Sequence, residues 1–447
     1  MSKPAPSKES DSSLLLYPHD SLMSPGKATV AAVQQVVAMF VGCITPILIF
    51  TSVVNVEPDV QHYMISMALL ASGIGTFLQA KRFGPIGSGL LSINGTSFAY
   101  VDLLLRAGNE GGIPLACGMA LAAVPLQFLL ALSMPFLRSI ISPLVAGIVV
   151  LLIGLDLIPV AGYYITSELG DKAGWHTNAI IASLVVLSLI LSQLSRRPSI
   201  RMSAPIIAIA LGYLVAAGLG VMKWPEFQSD NWITLPRFLP YGLAFKWELL
   251  LPFAIIYIVS SIEAIGDLSA TASLSGMKTS GIDFWKRLRG GILSDAITSA
   301  LACLLNAFPT ATFSQNNGVI QLTGVGSRQV GFYVAAILIL TGLLPQTGYI
   351  FSVMPSPVLG GVTLVLFGMI AVAGLRMIIE AGFSQTSMLI VAISLGIAFS
   401  VPTQEAYVAQ LPGFLSAILS SKVATGGLVA MVLCYSLQSG RAKSGAA

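Results

Sequence analysis

The sequence predicts an all-α membrane protein with 14 transmembrane segments arranged as two inverted repeats of seven. Only 9% of the 447 residues are charged, whereas an ordinary soluble protein carries about 25%. Apolar windows of about 15 to 25 residues recur to the end of the chain, and this is the length that crosses a bilayer. The third observation is an internal repeat at an offset of 214 residues.

The apolar windows give the predicted segments in order. Several are short or interrupted by glycine and proline, and a polar, tryptophan-containing loop separates the seventh from the eighth. The predicted ranges are 28–53, 60–80, 86–105, 113–135, 139–160, 176–193, 203–222, 249–273, 290–307, 311–325, 330–353, 356–379, 387–402 and 411–437.

The distribution of basic residues supports an even number of segments. With both termini in the cytoplasm, 17 lysines and arginines fall on the cytoplasmic side and five on the other side, and Lys422 is assigned to neither. This is the bias that the positive-inside rule predicts. Residues 1–27 are polar and lack the apolar core of a signal peptide. We therefore expect a disordered cytoplasmic tail at 1–27, a second tail at 438–447, and a multi-pass protein of the plasma membrane, in bacteria the inner membrane.

The two halves of the chain repeat a short motif. The sequence SPLVAG at 142–147 is followed by Gly154, and SPVLGG at 356–361 is followed by Gly368 with the same spacing. By the segment count these motifs open the fifth and twelfth segments, which are seven apart. An odd number of segments per repeat reverses the orientation of the second copy, so the sequence predicts an inverted repeat.

Two segments are predicted to be broken near the middle of the membrane. Gln315-Asn316-Asn317 is a polar cluster at membrane depth, and the helix-breaking run 308–310 lies just before it. Its repeat partner, the third segment, carries the small and polar run 92–100. Polar groups at this depth are costly unless they contact protein, water or a ligand. The two segments are therefore predicted to form the two walls of one substrate site.

Three carboxylates lie within predicted segments. Glu263 and Asp267 are four residues apart and share one helix face in the eighth segment. Two carboxylates this close resist joint ionisation, which is typical of a site that binds a proton or a substrate. A purely structural role for the pair is the alternative. Asp295, in the ninth segment, either couples protons or bonds to backbone groups that the broken segments leave free.

Other chemistries have little support in the sequence. His19, His62 and His176 fall in the predicted tail or loops, which leaves proton transfer to the carboxylates. The four cysteines have no metal-like spacing, and no phosphate-binding loop is present. The basic residues are too thinly spread for nucleic acid. We expect no enzymatic activity, no cofactor other than coupling protons, and no nucleic-acid partner.

The polar cluster carries a resemblance to a known family. Residues 315–318 (QNNG), with Thr323-Gly324 and Ser327-Arg328, resemble the motif of the nucleobase–ascorbate transporters, which is Gln/Glu/Pro-Asn-x-Gly, four residues, then Thr. Glu263, Asp267 and Asp295 look like the intramembrane acids of that family. The resemblance extends through essentially all the segments.

Two details bear on the branch of the family. The Gln-Asn start of the motif is similar to the branch that carries xanthine and uric acid. The uracil branch typically begins the motif with Glu and has His where this chain has Asp267. Relatives of the xanthine type often have His in the first segment, where this chain has Gln34-Gln35.

The resemblance implies roles for five residues in binding an oxopurine, which presents N–H donors and carbonyl acceptors in one plane. A carboxylate accepts from ring N–H groups, and a primary amide offers both donors and an acceptor. Glu263 and Gln315 are thus expected to bind opposite edges of the base, and Asn316 is expected to brace them. Phe98 would cover a face of the ring, while the small Ser97 would leave room beside the imidazole.

The remaining implied roles concern the motif glycine, the proton and the architecture. Gly318 belongs to the substrate-binding motif, and Asp267 and Asp295 would hold or relay the proton. A core domain would comprise 28–135 and 249–353, and a gate domain 139–222 and 356–437. The third and tenth segments would each begin with a short strand, the two strands pairing antiparallel. The core would move against the gate in an elevator-like manner, and two copies would associate through their gate domains.

Two other functions remain open from the sequence. A uracil-type nucleobase symporter is one. The other is an anion exchanger or channel of the same architecture, against which the negative charges of Glu263 and Asp267 argue, because they would repel an anionic substrate.

Overall fold

The structure is a computed structural model of the chain, and helices make up most of it. It describes residues 15–133, 143–166, 174–197, 200, 203–222, 233–279, 281–313, 315–344, 346, 354–382, 384–408, 410–411 and 413–444. The elements of the first half are α1 (Pro25–Val53), α2 (Pro58–Lys81), β1 (Asn94–Thr96), α3 (Val101–Leu132), α4 (Pro143–Thr166), α5 (Gly174–Gln193) and α6 (Ala204–Gly218).

The second half also has a strand between helices. Its elements are α7 (Trp247–Leu274), α8 (Ile282–Leu304), β2 (Thr310–Thr312), α9 (Gln315–Thr323), α10 (Arg328–Leu343), α11 (Ser356–Glu380), α12 (Gln385–Ser400), α13 (Glu405–Val408), α14 (Gly413–Leu419) and α15 (Lys422–Ser444).

Several helices suit a membrane by length and composition. Within the described residues seven helices are long and apolar enough to cross a bilayer, namely α1, α2, α3, α4, α5, α7 and α11. The helices α6, α10 and α12, and the part Lys422–Leu437 of α15, are apolar but shorter. The chain is therefore a multi-pass membrane protein.

Both predicted broken segments begin as extended chain. Helix α9 starts only after strand β2, and α3 starts only after strand β1 and a 3₁₀ turn, Phe98–Tyr100. The third and fourth predicted segments (86–105 and 113–135) are joined within α3, which kinks at Gly111 and Gly112. Gly112 has φ +66° and ψ −162°, a backbone conformation open to glycine and costly for other residues.

The end of the chain differs from prediction. The single predicted segment 411–437 is wrong, because α14 ends at Leu419 and α15 begins at Lys422. The hydroxyl of Ser421 accepts a hydrogen bond from the Ala424 amide at 3.2 Å and so caps the new helix. Helix α15 continues to Ser444, beyond the predicted start of a tail at residue 438. Residues 134–135, 139–142, 314, 345, 347–353 and 412 of the predicted segments lie outside the described residues.

Helices α4 and α11, which carry the two copies of the repeated motif, pack directly against each other. A Cβ on Gly154 would overlap the backbone of Ala371, and one on Gly374 would overlap the backbone of Leu151. Glycines here let the two backbones approach closely, which is how helices pack in a membrane. The Ser142 that opens the first copy lies outside the described residues.

An N-terminal strap, residues 15–24, packs against the turn between α9 and α10. Tyr17 forms a parallel bridge with Val325, and its amide donates to the Gly324 carbonyl at 2.9 Å. The Ser327 hydroxyl donates to the Ser21 carbonyl at 2.6 Å. The prediction of a disordered tail is therefore wrong for residues 15–24, since these hydrogen bonds hold the strap in place. Residues 1–14 of that predicted tail lie outside the described residues.

The histidines also differ from prediction. His19 is buried in the strap, where its Nε2 lies 2.8 Å from the Gly89 carbonyl oxygen. His62 and His176 lie near the starts of helices α2 and α5, and not in loops as the sequence suggested. None of the three lies at the strand pair, so the carboxylates remain the candidates for proton transfer.

Candidate substrate site at the paired strands

Strands β1 and β2 meet in the interior as a two-stranded antiparallel sheet. Asn94 pairs with Thr312, Gly95 with Ala311 and Thr96 with Thr310. The Ser97 amide extends the pairing by donating to the Pro309 carbonyl at 3.0 Å. This confirms the predicted strands. The pairing satisfies backbone groups that would otherwise be unpaired in a largely apolar interior.

Asp295, on α8, is fully buried directly behind the strands. Its Oδ1 accepts hydrogen bonds from the side-chain amides of Asn94 at 2.6 Å and Gln79 at 2.9 Å. Its Oδ2 is buried and has no partner among the described residues. Buried polar atoms are nearly always paired, so Oδ2 is a natural position for a proton. Asp295 is thus hydrogen-bonded to a residue of β1 and to a residue of α2.

Asp267, on α7, is held by the other strand and by α9. The Thr312 hydroxyl donates to its Oδ2 at 3.4 Å. The single proton of the Thr271 hydroxyl has two acceptors within reach, the Asp267 carbonyl at 2.8 Å and Asn317 Oδ1 at 2.6 Å. The Asn317 amide donates to the same Asp267 carbonyl at 3.3 Å. These bonds fix the half-helix α9 against the helix that carries the acidic pair.

Glu263 and Gln315 differ from their neighbours because no described residue forms a hydrogen bond with their polar groups. Both side chains are half-buried. Glu263 lies close enough to Asp267 and Asp295 to interact with both electrostatically. The carboxylate and the amide are therefore free to bind a ligand.

Asn316 is hydrogen-bonded to the first helix, α1. Its side-chain nitrogen donates to the side-chain oxygen of Gln35 at 2.6 Å and to the Gln35 carbonyl at 2.9 Å. Its own side-chain oxygen is buried without a partner among the described residues. The structure thus places Asn316 as a brace between α9 and α1, next to Gln315.

The 3₁₀ turn after β1 supplies an aromatic wall. Phe98 is 8% exposed, and its ring meets that of Phe367, on α11, edge to face with centroids 5.6 Å apart. The Ser97 hydroxyl accepts from the Ala99 amide at 3.3 Å and caps the turn. Gly318 faces open space on α9, since a Cβ added to it would meet nothing within 4 Å.

The structure brings all eight predicted site residues to the strands and the helices that flank them. It also adds Gln79, Thr271 and Thr312, which the sequence analysis did not name, and it gives contacts to Asn94, Asn317 and Gln35, which the sequence analysis named without a role of their own. Gln79 is a buried amide near the end of α2, and its neighbours Thr76 and Lys81 are also polar, so it does not stand out in the sequence. The role of Thr312 depends on the strand register, which the sequence does not give.

Comparison with known proteins gives the family to which the chain is similar. The sequence model of a permease family, Xan_ur_permease, matches residues 26–407. The chain is 38% identical to the xanthine permease XanP of Escherichia coli, over 96% of both proteins. It is 36% identical to the xanthine permease XanQ of Escherichia coli, over 93% of this chain and 92% of that protein.

The chain belongs to the nucleobase–ascorbate transporter family. Solved structures of other transporters share its fold. The transmembrane domain of the cyanobacterial bicarbonate transporter BicA aligns with a TM-score of 0.59 at 14% identity, over 92% of this chain and 99% of that chain. SLC26A9 aligns with a TM-score of 0.61 at 12% identity, over 91% of this chain and 64% of that protein. At these identities the likeness concerns the fold alone.

Proposed function

We propose that this permease imports oxopurines, xanthine and uric acid, together with protons. The observation that carries the proposal is that the Glu263 carboxylate and the Gln315 side-chain amide form no hydrogen bond within the described residues. Around them, Asp267, Asp295 and Asn316 are all held by protein hydrogen bonds. A site that fixes its supporting polar groups and leaves one carboxylate and one primary amide free suits a ligand with both donors and acceptors.

Xanthine fits this pair of groups. Glu263 accepts from ring N–H groups, and Gln315 donates to a ring carbonyl and accepts from a neighbouring N–H. Phe98 stacks on one face of the base, and Ser97 leaves room for the 8-oxo group of uric acid. The open space at Gly318 lets the base approach the backbone of α9. The xanthine transport named for XanP and XanQ supports this choice of substrate.

Proton coupling rests on the acids that the substrate does not contact. Asp295 Oδ2 is a buried acceptor without a partner among the described residues, and Asp267 shares its helix face with Glu263. Protonation at Asp295 or Asp267 would reduce the electrostatic repulsion among the three carboxylates when the neutral base binds. The site then loads a proton and a base together, with no other cofactor.

The proposed architecture has 14 spans in two inverted repeats. The core domain comprises 28–135 and 249–353, and the gate domain 139–222 and 356–437. The contact between Phe98 on the core and Phe367 on the gate lies on the interface along which the core would slide. Both termini would lie in the cytoplasm, and two copies would pair through their gate domains in the plasma membrane.

An anion exchanger is the second candidate, since a bicarbonate transporter shares the fold. Glu263 and Asp267 disfavour it, because their negative charge opposes an anionic substrate. A uracil-type symporter is the third, and Gln315 in place of the motif glutamate disfavours it.

Uptake of radiolabelled substrates into cells that lack their own purine carriers tests these candidates. Xanthine, uric acid, uracil and sulfate are each supplied at the same concentration, with empty-vector cells as the control. We expect accumulation of xanthine and uric acid only. Uptake of uracil or sulfate without xanthine would contradict the proposal.

A further inference from the structure

A basic cavity lies where α2 ends and α10 begins, and the N-terminal strap closes one side of it. The cavity has a volume of about 220 Å³. Leu22 and Phe332 form its apolar lining, and its polar lining comes from Asp20, Ser21, Lys81, Ser327, Arg328 and Gln329. It is separate from the substrate site, since none of these residues lies on the strands or on α7.

The charges of this cavity do not balance. Arg328 pairs with Asp20, with Nε 2.9 Å from Oδ1. Lys81 is exposed and belongs to no ion pair within the described residues. Two cations therefore face one carboxylate, and Arg82 follows Lys81 directly in the chain. The cavity favours an anion that can contact Lys81 and Arg328 together.

An apolar shelf adjoins the cavity. Phe77 lies between Phe83 and Phe332, with ring centroids 6.0 and 5.7 Å apart. Phe77 is 38% and Phe83 46% exposed, and Leu22 of the strap is 87% exposed. Exposed aromatic and aliphatic side chains on a membrane helix contact acyl chains, whereas a site for a free anion needs no such surface. An apolar shelf beside a basic cavity matches a molecule with an anionic head and an apolar tail.

We propose that this cavity binds the headgroup of an anionic phospholipid from the leaflet on the side of the N-terminus. The phosphate lies between Lys81 and Arg328, and the Arg328 guanidinium contacts both the phosphate and the Asp20 carboxylate. The glycerol fits the remaining space beside Gln329, and an acyl chain runs along Phe332 and Phe77. The lipid thereby links the end of α2 to the strap.

Native mass spectrometry of the detergent-solubilised protein tests this site without any transport assay. Short-chain phosphatidylglycerol is titrated against wild type, against Lys81→Ala, and against Lys278→Ala as the matched control. Lys278 is also an exposed lysine, on the segment that follows α7, and it does not line the cavity. Short-chain phosphatidylcholine and glycerol phosphate are the reference ligands.

We expect phosphatidylglycerol to bind wild type and Lys278→Ala equally, and Lys81→Ala about fivefold more weakly, which is the contribution typical of one lysine to anionic lipid binding. Phosphatidylcholine should bind wild type more weakly, and glycerol phosphate should not displace the lipid. Equal binding of phosphatidylglycerol by Lys81→Ala and wild type would overturn the site. Displacement by an equal concentration of glycerol phosphate would overturn the lipid as its occupant.

Discussion

The side-chain amide of Asn316 donates two hydrogen bonds to Gln35, one to the side-chain oxygen at 2.6 Å and one to the backbone carbonyl at 2.9 Å. This pair joins the half-helix that carries the substrate motif to the first helix of the chain. Because both residues are buried, losing either partner leaves a polar group unsatisfied. The orientation of Gln315 beside Asn316 therefore depends on a residue 281 positions away.

Replacing Gln35 with Ala should weaken xanthine binding about tenfold, because a buried donor of Asn316 loses its side-chain partner. Gln34→Ala is the control, since Gln34 is half-buried and forms no hydrogen bond within the described residues. Equilibrium binding to the purified Gln35→Ala, Asn316→Ala and double variants gives the coupling between the two residues. Additive losses in the double variant would show that Gln35 does not act through Asn316.

The Asp295→Asn variant should distinguish a role of Asp295 in proton coupling from a purely structural role. Both amides that bond to Asp295 meet the same atom, Oδ1, so the carbonyl of Asn can keep both bonds. We expect this variant to fold, to bind xanthine and to exchange labelled for unlabelled xanthine across the membrane. Its accumulation of xanthine against a gradient should fall at least tenfold, because Asn cannot carry the proton.

The matched variant is Asp295→Ala, which removes the acceptor that the Gln79 and Asn94 amides share and leaves Gln79 only its bond to the Gly291 carbonyl. This variant should lose exchange as well. Wild-type accumulation by Asp295→Asn, with an unchanged response to pH, would assign Asp295 a structural role only.

Xanthine uptake should be inhibited by unlabelled xanthine and uric acid, and not by adenine or uracil. Adenine has an exocyclic amine and no ring carbonyl, so it would leave part of the Gln315 amide unpaired in the site. Unpaired polar groups of this kind give discrimination of up to about 10⁴-fold. Competition curves with labelled xanthine and a panel of bases measure it. Adenine or uracil competing as well as xanthine would contradict the role of Gln315.

The strap should loosen at acid pH. The pKa of His19 is lowered, mainly by burial and also by the nearby charges of Arg287 and Arg328. Asp20 and the hydrogen bond with the Gly89 carbonyl raise this pKa, but they do not offset the lowering. A detached strap would therefore bind the proton more readily, since a free imidazole has its ordinary pKa of about 6.5. As the pH falls below that value, detachment becomes more favourable.

Hydrogen exchange of residues 15–24, corrected for the intrinsic effect of pH, reports this opening. We expect protection to fall between pH 7.5 and 5.5 in wild type and to stay constant in His19→Gln, whose amide can still donate to the Gly89 carbonyl. A constant protection in wild type would show that His19 does not control the strap.

The sequence predicted those parts of the fold that follow from local chemistry. The run from Pro309 to Gly318 combines a helix breaker, polar residues and a helical continuation, and the structure has a strand followed by a helix there. The pairing of β1 with β2 was expected from the resemblance to the family. The register that sets Asn94 opposite Thr312 depends on packing between distant helices, which a local pattern does not encode.

The sequence predicted the carboxylates and the polar motif of the site. It did not predict the residues that form hydrogen bonds with them. Glu263, Asp267 and Asp295 stand out as charges in apolar segments. Gln79 and Thr271 are less conspicuous, because neutral polar residues also occur in membrane helices for packing. The strap was mistaken for a tail. Part of its attachment consists of backbone hydrogen bonds to the turn at Gly324, and such bonds leave no side-chain pattern in the sequence.

Proton-driven xanthine uptake into proteoliposomes is the most direct test of the proposed function. Wild type, Glu263→Gln, and the control Glu248→Gln at the exposed start of α7 are reconstituted in parallel, with an imposed pH gradient at constant sodium. We expect wild type and Glu248→Gln to accumulate xanthine only with the gradient. Glu263→Gln should lose about ten- to a hundredfold of its uptake, as expected when a charged hydrogen bond is lost. Xanthine accumulation that needs sodium and not the pH gradient would contradict the proposed proton coupling. Uptake by Glu263→Gln at the wild-type level would contradict the proposed role of Glu263 in binding xanthine.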